Sequence, residues 1–424
     1  MARAVLVAIF RAIIRLYFRA IERIGEPPTA DVRGRVFVAN HYNALIDPVV
    51  VLTAAPCPIA PIAKAPLWKI RGLAWLLDAA GAVPIVRAKD EPGKPPGAND
   101  ATFARVARHL ADGGNVLIFP EGISHSAPKL APLKTGAARM LAAAAALGGV
   151  APTFQAVALE FDAAHTFRSR CLLVWGPARA WAEVDGAPAE HVARATAQMA
   201  DDLGGLLVEA DSHDERRRIA QVAEMLADDA GDDTLAAWST IGRQVEIATQ
   251  ALTRLAPTEL ATARAAVDAY RALLDRHGVR DAQLARGRTP PPRSPIRWVR
   301  RVALAPLVVA GVALYALPYR LPRRIARSGE PDVISTYKLG AGLVVFPLWA
   351  LALTVAAWIW LATPLATAAT AVAWLSPLAA LRWLDWRDRR DRPLTAAQLA
   401  ALVAARARAM AAIERARALL TTPG

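Results

Sequence analysis

Between Gly34 and Pro177 the chain alternates short apolar runs with longer stretches of helical period. The runs are "RVFVAN", "PIAPIAK", "GAVPIVR", "NVLIFP", "TFQAVALEF" and "CLLVWG". Each has strand length and is mostly apolar, as expected of strands in a largely buried, mostly parallel sheet. The stretches "DATFARVARHLADG" and "KTGAARMLAAAAALGG" between them have the spacing of helices that pack one face on such a sheet. The pattern predicts an α/β layer fold with a central, mostly parallel sheet flanked by helices.

On either side the period changes. Residues 1–27 read as one amphipathic helix, with Arg11, Arg15, Arg19 and Arg23 on one side and Leu6, Phe10, Ile13, Tyr17, Ile21 and Ile24 on the other, suited to lying on a membrane. It is a poor signal peptide, because arginines interrupt its apolar core and no small-residue cleavage site follows. Residues 185–285 are rich in alanine, acids and arginine, with helical period and no strand signal, and "HDERRR" and "DDAGDD" there read as solvated faces. "GRTPPPRSP" breaks the pattern as a linker. Three apolar stretches follow, at 302–319, 341–362 and 365–381; the second is long enough to span a bilayer and the others are marginal. The tail opens at "PLTAAQ", where Thr395 and Gln398 form a capping-box signature. These changes divide the chain into an N-terminal helix (1–27), a sheet domain (28–184), a helical region (185–285), a linker (286–301), a membrane-embedded region (302–384) and a basic C-terminal helix (385–424).

Composition narrows the setting. Of 424 residues, 54% are hydrophobic, which is high for a purely soluble protein, and the formal charge is +14, carried mainly by arginine. Nucleic acid, an anionic membrane and a phosphorylated substrate would each suit that charge. No nucleic-acid motif appears and many arginines flank apolar segments, which favours a lipid bilayer over nucleic acid. Two cysteines, Cys57 and Cys171, cannot build a disulfide framework, so the expected setting is a membrane with the working site on its cytosolic face. Arginines at both ends of the first apolar stretch, with Pro306 and Pro318 inside it, predict that it dips into the bilayer and returns or lies in the interface. The next two stretches are expected to form a helical hairpin joined around Thr363 and Pro364.

The candidate chemistry lies behind the first buried run. In "VFVANHYNALIDP" the only residues that can carry charge near neutral pH are His41 and Asp47. Ligands of open α/β sheets bind at loops after the carboxyl ends of strands. An imidazole there takes a proton near neutral pH, and a carboxylate on its other nitrogen fixes its tautomer and stabilises the imidazolium. No serine follows at nucleophile-elbow spacing, so the pair reads as a general base that activates a substrate hydroxyl. Three further runs end in polar groups: Lys64 after "PIAPIA", Arg87 after "GAVPIV", and Glu121, Gly122 and Ser124 after "LIFP". If the strands are parallel, these ends share one edge, where Arg87, Lys64 and the backbone donors around Gly122 and Ser124 could surround a phosphate and Glu121 could orient Arg87 or a substrate hydroxyl.

These blocks resemble the glycerophospholipid acyltransferase family, the group related to bacterial lysophosphatidate acyltransferase. "NHYNALID", "GAVPIVR", "FPEGISHS" and "APTFQAVALEF" stand for the family's four blocks in order, within about residues 30–180. The resemblance implies an acyltransferase domain that moves an acyl group from a thioester of coenzyme A or acyl carrier protein to a glycerolipid hydroxyl, with no metal or resident cofactor. It makes His41 the general base, Asp47 its partner, and Arg87, Glu121, Gly122 and Ser124, with Lys64 nearby, the acceptor site. Five residues separate His41 from Asp47, where the common family pattern has four. That spacing, with "AKAPLW", "AHTFRSRCLLVWGPA" and "VDAYRALLDRHGVRD", is similar to the branch that acylates glycerol 3-phosphate or dihydroxyacetone phosphate. The expected activity is therefore acylation of glycerol 3-phosphate in phospholipid synthesis; lysophosphatidate as acceptor, and a non-catalytic lipid-binding scaffold, are the alternatives.

Other residues stay open between two readings. Lys129 and Lys134 either steer phosphate or form a solvated pair; His125 either touches the acceptor or caps a turn. Arg168 and Arg170 either meet the nucleotide phosphates of a donor or serve the fold. Cys171 reads as a core residue rather than an acyl carrier.

Overall fold

The computed structural model describes all residues except 1, 87–99, 185–186, 188–189, 286–294, 327–329, 331–332, 390 and 422–424. They fall into two compact units, Met1–Ala223 with Thr234–Ile247, and Glu224–Asp233 with Ala248–Gly424.

The first unit begins with α1 (Ala2–Tyr17), β1 (Ala20–Gly25), β2 (Arg35–Ala39), α2 (Ile46–Ala54), β3 (Ala60–Lys64), α3 (Arg71–Ala80) and β4 (Val83–Ile85). It continues through α4 (Asp100–Ala111), β5 (Val116–Ile118), α5 (Gly136–Leu147), β6 (Thr153–Phe161), β7 (Arg170–Ala180) and α6 (His191–Gly204). The strands form one sheet in the order β1-β7-β6-β2-β5-β3-β4. Among the described residues the only antiparallel pair is β6 with β7; the six apolar runs form strands and the sheet is mostly parallel, as their hydrophobicity predicts. On β2, Val36, Phe37, Val38 and Ala39 are all buried, because helices cover both faces. The helix α5 lays Ala137, Ala138, Met140, Leu141 and Ala144 on this core, and its alanines let it sit close to α4 and the sheet.

One element differs from the sequence expectation. The N-terminal helix stops at Tyr17, and Ala20–Gly25 is a strand, so Ile21, Arg23 and Ile24 lie on a sheet edge and not on helix faces. In "AIERIG" the apolar residues Ile21 and Ile24 also suit an extended segment, and β7 offers an unpaired edge whose backbone groups need partners. Parallel pairing from Ala20↔Arg170 to Gly25↔Trp175 satisfies them. At the last pair Gly25 has φ +85 and a Cβ there would lie 2.0 Å from the Trp175 carbonyl oxygen, so the chain leaves the sheet where only glycine fits.

The helical region holds α7 (His213–Asp229), α8 (Leu235–Leu255) and α9 (Pro257–His277) after α6. In the second unit α10 (Pro295–Ile325), α11 (Ile334–Trp360) and α12 (Thr363–Arg389) pack on one another. The helix α10 starts inside the expected linker and runs unbroken past Pro306 and Pro318, so it does not dip and return; each proline deletes one N–H without unwinding it. The expected hairpin of α11 and α12 is present. Trp358 Nε1 donates to Thr370 Oγ1 at 3.1 Å and Trp374 Nε1 to Thr354 Oγ1 at 3.2 Å, pairings that require antiparallel neighbours. Outward faces carry Val309, Val344, Leu348, Leu351 and Ile359, large apolar side chains exposed together.

The tail forms α13 (Ala396–Thr421), opened by the reciprocal bonds of the capping box: Thr395 N–H to Gln398 Oε1 at 2.9 Å and Gln398 N–H to Thr395 Oγ1 at 3.2 Å. Among the described residues, four helices, α10 to α13, are long and apolar enough to cross a membrane. The last of them nevertheless packs Ala412 and Ala416 against Leu252, Ala256, Leu260 and Ala263, a seam of small and aliphatic residues between helices.

Candidate functional site

The parallel strands β2, β5, β3 and β4 all end at one edge of the sheet, with Val38 beside Ile118 and Lys64 beside Ile85. The loops carrying His41, Glu121, Gly122 and Ser124 therefore leave from that edge together with Lys64. The chain beyond β4 leads toward Arg87, which lies outside the described residues.

Asn40, the first residue past β2, is fully buried and locked to β6: its Nδ2 donates to the Leu159 carbonyl at 3.0 Å and its Oδ1 accepts from the Leu159 N–H at 2.7 Å. That anchor fixes the departure angle of His41. The imidazole stacks on Phe119, with ring centroids 4.1 Å apart and planes 19° apart, while its Nδ1 lies 2.9 Å from Asp47 Oδ2. Asp47 is buried in the first turn of α2, and the same oxygen accepts from the Asn43 N–H at 2.7 Å. An ionised carboxylate only accepts, so beside it the proton sits on Nδ1 and the lone pair on Nε2.

The long spacing between the two is absorbed by the turn. Ala44 has φ +37, in the left-handed region, and the Ile46 N–H closes back on the Asn43 carbonyl at 2.9 Å. A non-glycine residue there costs about 1–2 kcal/mol, and the Asp47 bonds to His41 and Asn43 hold it in place.

Glu121 is buried and has both oxygens engaged within the protein. Oε1 accepts from the His41 N–H at 2.9 Å; Oε2 accepts from the Ala131 N–H at 2.9 Å and from His125 Nε2. His125 Nδ1 accepts from the Ala127 N–H, and its own N–H donates to the His41 carbonyl. Glu121 and His125 thus brace the loop after β5 against the loop after β2, a job that sequence spacing alone did not assign to either residue. Gly122 has φ +70, and a Cβ on it would lie 2.3 Å from Lys134 Nζ, so this ammonium covers the glycine at the site. Lys129, by contrast, forms an exposed pair with Asp211 at 3.7 Å.

Three residues take roles the sequence left open or dismissed. Arg216, from the "HDERRR" stretch read as a solvated face, lies over the ring of Tyr42, the residue after His41, at 5.4 Å. Tyr42 is buried and has its hydroxyl pKa pushed up to about 12, mainly by burial. Arg168 donates Nη1 to the carbonyls of Arg15, Leu16 and Phe18, and Arg170 pairs with Asp162 at 2.9 Å under the Trp238 ring, so both serve the fold. Cys171 is fully buried in β7, and burial first, then the charge of Asp47, raises its thiol pKa well above the usual value, which disfavours the thiolate an acyl carrier needs. Among the described residues no group of three or more His, Cys, Asp or Glu stands together as metal ligands.

A family model described as Acyltransferase matches residues 21–158. Glycerol-3-phosphate O-acyltransferase 2 of Saccharomyces cerevisiae is 43% identical over 84 residues, 18% of this chain and 11% of the yeast protein, so the chain spans about a tenth of that relative's length. The crystal structure of the 1-acyl-sn-glycerophosphate acyltransferase PlsC from Thermotoga maritima aligns over 47% of this chain and 76% of that one, at 18% identity and a TM-score of 0.36, a likeness too loose to argue from.

Proposed function

We propose that the chain transfers an acyl group from an acyl thioester to a glycerolipid hydroxyl, with glycerol 3-phosphate as acceptor, a reading supported by the match of residues 21–158 to a family model described as Acyltransferase. The observation that carries this reading is the His41–Asp47 pair, 2.9 Å apart at the edge where four parallel strands end. In the proposed reaction His41 Nε2 takes the proton of the acceptor hydroxyl as its oxygen attacks the thioester carbonyl. The C–S bond then breaks, and the leaving thiolate takes that proton from the imidazolium. Asp47 holds the ring and offsets its transient charge. The acceptor phosphate is met by Arg87, Lys64 and Lys134 after the strand ends, with backbone donors around Gly122 and Ser124, and by Arg216 of α7 over the Tyr42 ring. Glu121 serves that site as the brace that positions His41.

Glycerol 3-phosphate is favoured because the relative with 43% identity is named for that acceptor. The outward apolar faces of α10, α11 and α12 support a membrane setting. The deciding experiment gives the purified full chain a labelled acyl-coenzyme A with glycerol 3-phosphate, dihydroxyacetone phosphate or lysophosphatidate. Labelled 1-acylglycerol 3-phosphate as the main product is expected. Preference for lysophosphatidate would reassign the acceptor, and no product with any acceptor or with acyl carrier protein as donor would leave a lipid-binding scaffold. Arg216→Ala is expected to raise KM for the phosphorylated acceptor about tenfold while leaving that for the thioester nearly unchanged.

A further inference from the structure

The first unit contains a second concentration of charge, apart from His41. A cavity of about 250 Å³ opens among α1, β1 and the C-terminal end of α2. Arg11, Arg15, Arg19 and Arg23 line it, with Ile14 and Phe18 beside them. Arg19 is paired with Asp162 at 3.1 Å, and Arg11 donates Nε to the Thr53 carbonyl at 3.1 Å. Among the described residues no carboxylate pairs with Arg11, Arg15 or Arg23. Burial, then the positive charges of Arg11 and Arg15, lower the pKa of Arg23. Three of the four arginines around the hollow thus have no carboxylate partner among the described residues and repel one another, and a bound anion removes that cost.

The face of α1 next to the cavity is apolar and exposed. Val5, Ile9, Ala12 and Leu16 recur at i, i+4, i+7 and i+11, and Val5, Ile9 and Leu16 are 57%, 51% and 43% exposed. Leu6, Ile14 and Tyr17 are the buried side of the same helix. Arg11 and Arg15 each precede a stripe residue by one position, so the cavity mouth and the stripe adjoin, about 100° apart around the axis.

We propose that this cavity binds the phosphate of an anionic phospholipid headgroup, with the apolar stripe of α1 seated in the bilayer interface beside it. Guanidinium groups suit phosphate oxygens through paired, charge-assisted hydrogen bonds. A hollow of this size takes a headgroup and not a whole lipid, and the adjoining stripe is what a soluble phosphate would have no use for. The site is distinct from the candidate active site: Thr53, on its wall, is six positions along α2 from Asp47, about 9 Å along the helix axis. The proposal does not rest on acyl transfer, and it is read by binding.

The test titrates the detergent-solubilised full chain with dihexanoyl phosphatidylglycerol, with dihexanoyl phosphatidylcholine and with inorganic phosphate, followed by calorimetry. Saturable one-site binding of phosphatidylglycerol is expected, weakened about tenfold or more in the Arg11→Gln/Arg15→Gln variant, with the other two ligands binding far more weakly. Equal binding by the variant overturns the site, equally tight inorganic phosphate overturns the lipid as its ligand, and equally tight phosphatidylcholine overturns the role of net charge. A second measurement needs no variant. Butanedione labelling of Arg11, Arg15 and Arg23 in the wild-type chain, mapped by peptide mass spectrometry, is expected to fall when phosphatidylglycerol is present, and unchanged labelling overturns the proposal whatever the variant does.

Discussion

Each unit buries a carboxylate against a nitrogen base, and the two are built to opposite ends. In the second unit Asp281 is fully buried and takes both Nε and Nη2 of Arg406, at 2.9 and 2.8 Å, and the Tyr270 hydroxyl. Arg406 also reaches Asp229 at 3.1 Å and the Met225 carbonyl at 3.1 Å, so its donors are spent inside the fold. In the first unit Asp47 is equally buried, but its partner His41 keeps a fifth of its side chain exposed and has a second nitrogen that Asp47 does not occupy. A charge pair closed on every side fixes register between α13, α7 and α9, whereas a buried carboxylate behind a partly exposed imidazole leaves one ring nitrogen toward the surface, as the proposed reaction needs. Burial of the acid is common to both; the openness of the base separates structure from chemistry.

Substitutions test that contrast, from the largest expected effect downward. His41→Ala should lower kcat by about 10² to 10⁴ or more with the thermal midpoint nearly unchanged, measured with a labelled thioester and a melting curve. A folded His41→Ala protein with normal turnover would remove the first half of the comparison. Asp281→Ala should do the reverse: it leaves Arg406 with Asp229 as its one carboxylate and the Tyr270 hydroxyl without its acceptor, costing about 3 kcal/mol in urea unfolding, while turnover per folded molecule is kept. Asp47→Asn sharpens the contrast, because the same kind of buried acid should here cost rate, on the order of 10², more than stability. The smallest effect concerns Asp228, which is buried with Oδ2 unpartnered and whose pKa is pushed up to about 7, first by burial and then by the charges of Asp281 and Asp233. The folded state then holds a proton that the unfolded chain, near 3.8, gives up. Stability from this group is complete below about pH 4 and is lost as pH rises through about 7. Asp228→Asn should flatten that part of the stability profile.

Much of the sheet was legible because buried parallel strands write themselves as unbroken apolar runs, and six of the seven strands carry that mark. The seventh, β1, lacks it: "AIERIG" on an edge is half exposed, and its arginine spacing continues the helical period of α1 until pairing with β7 overrides it. In the site, His41 and Asp47 were legible as types at the end of a run. The engagement of Glu121 with His41, Ala131 and His125 was not, since a carboxylate's partners across 80 residues leave no trace in spacing. Arg216 was hidden for a different reason: inside "HDERRR" one arginine that turns inward looks like its neighbours. Asn40 did carry a signal, an amide ending a buried run, where an unpaired polar group would be costly.

One feature of the loop between β6 and β7 reaches further than its length. Arg168, held at φ +66, closes the carboxyl end of α1 with three carbonyl bonds, and its own N–H reaches the Tyr17 carbonyl at 2.8 Å. Four residues earlier the Ala164 carbonyl accepts from Asn43 Nδ2 at 3.1 Å, and Asn43 is the residue whose N–H steadies Asp47. The loop is therefore a strut with one foot on the first helix and the other on the turn that aims the imidazole. Five residues, Ala164 to Arg168, thus tie the end of α1 to the turn that carries Asn43 and Asp47, so the helix end and that turn share one anchor.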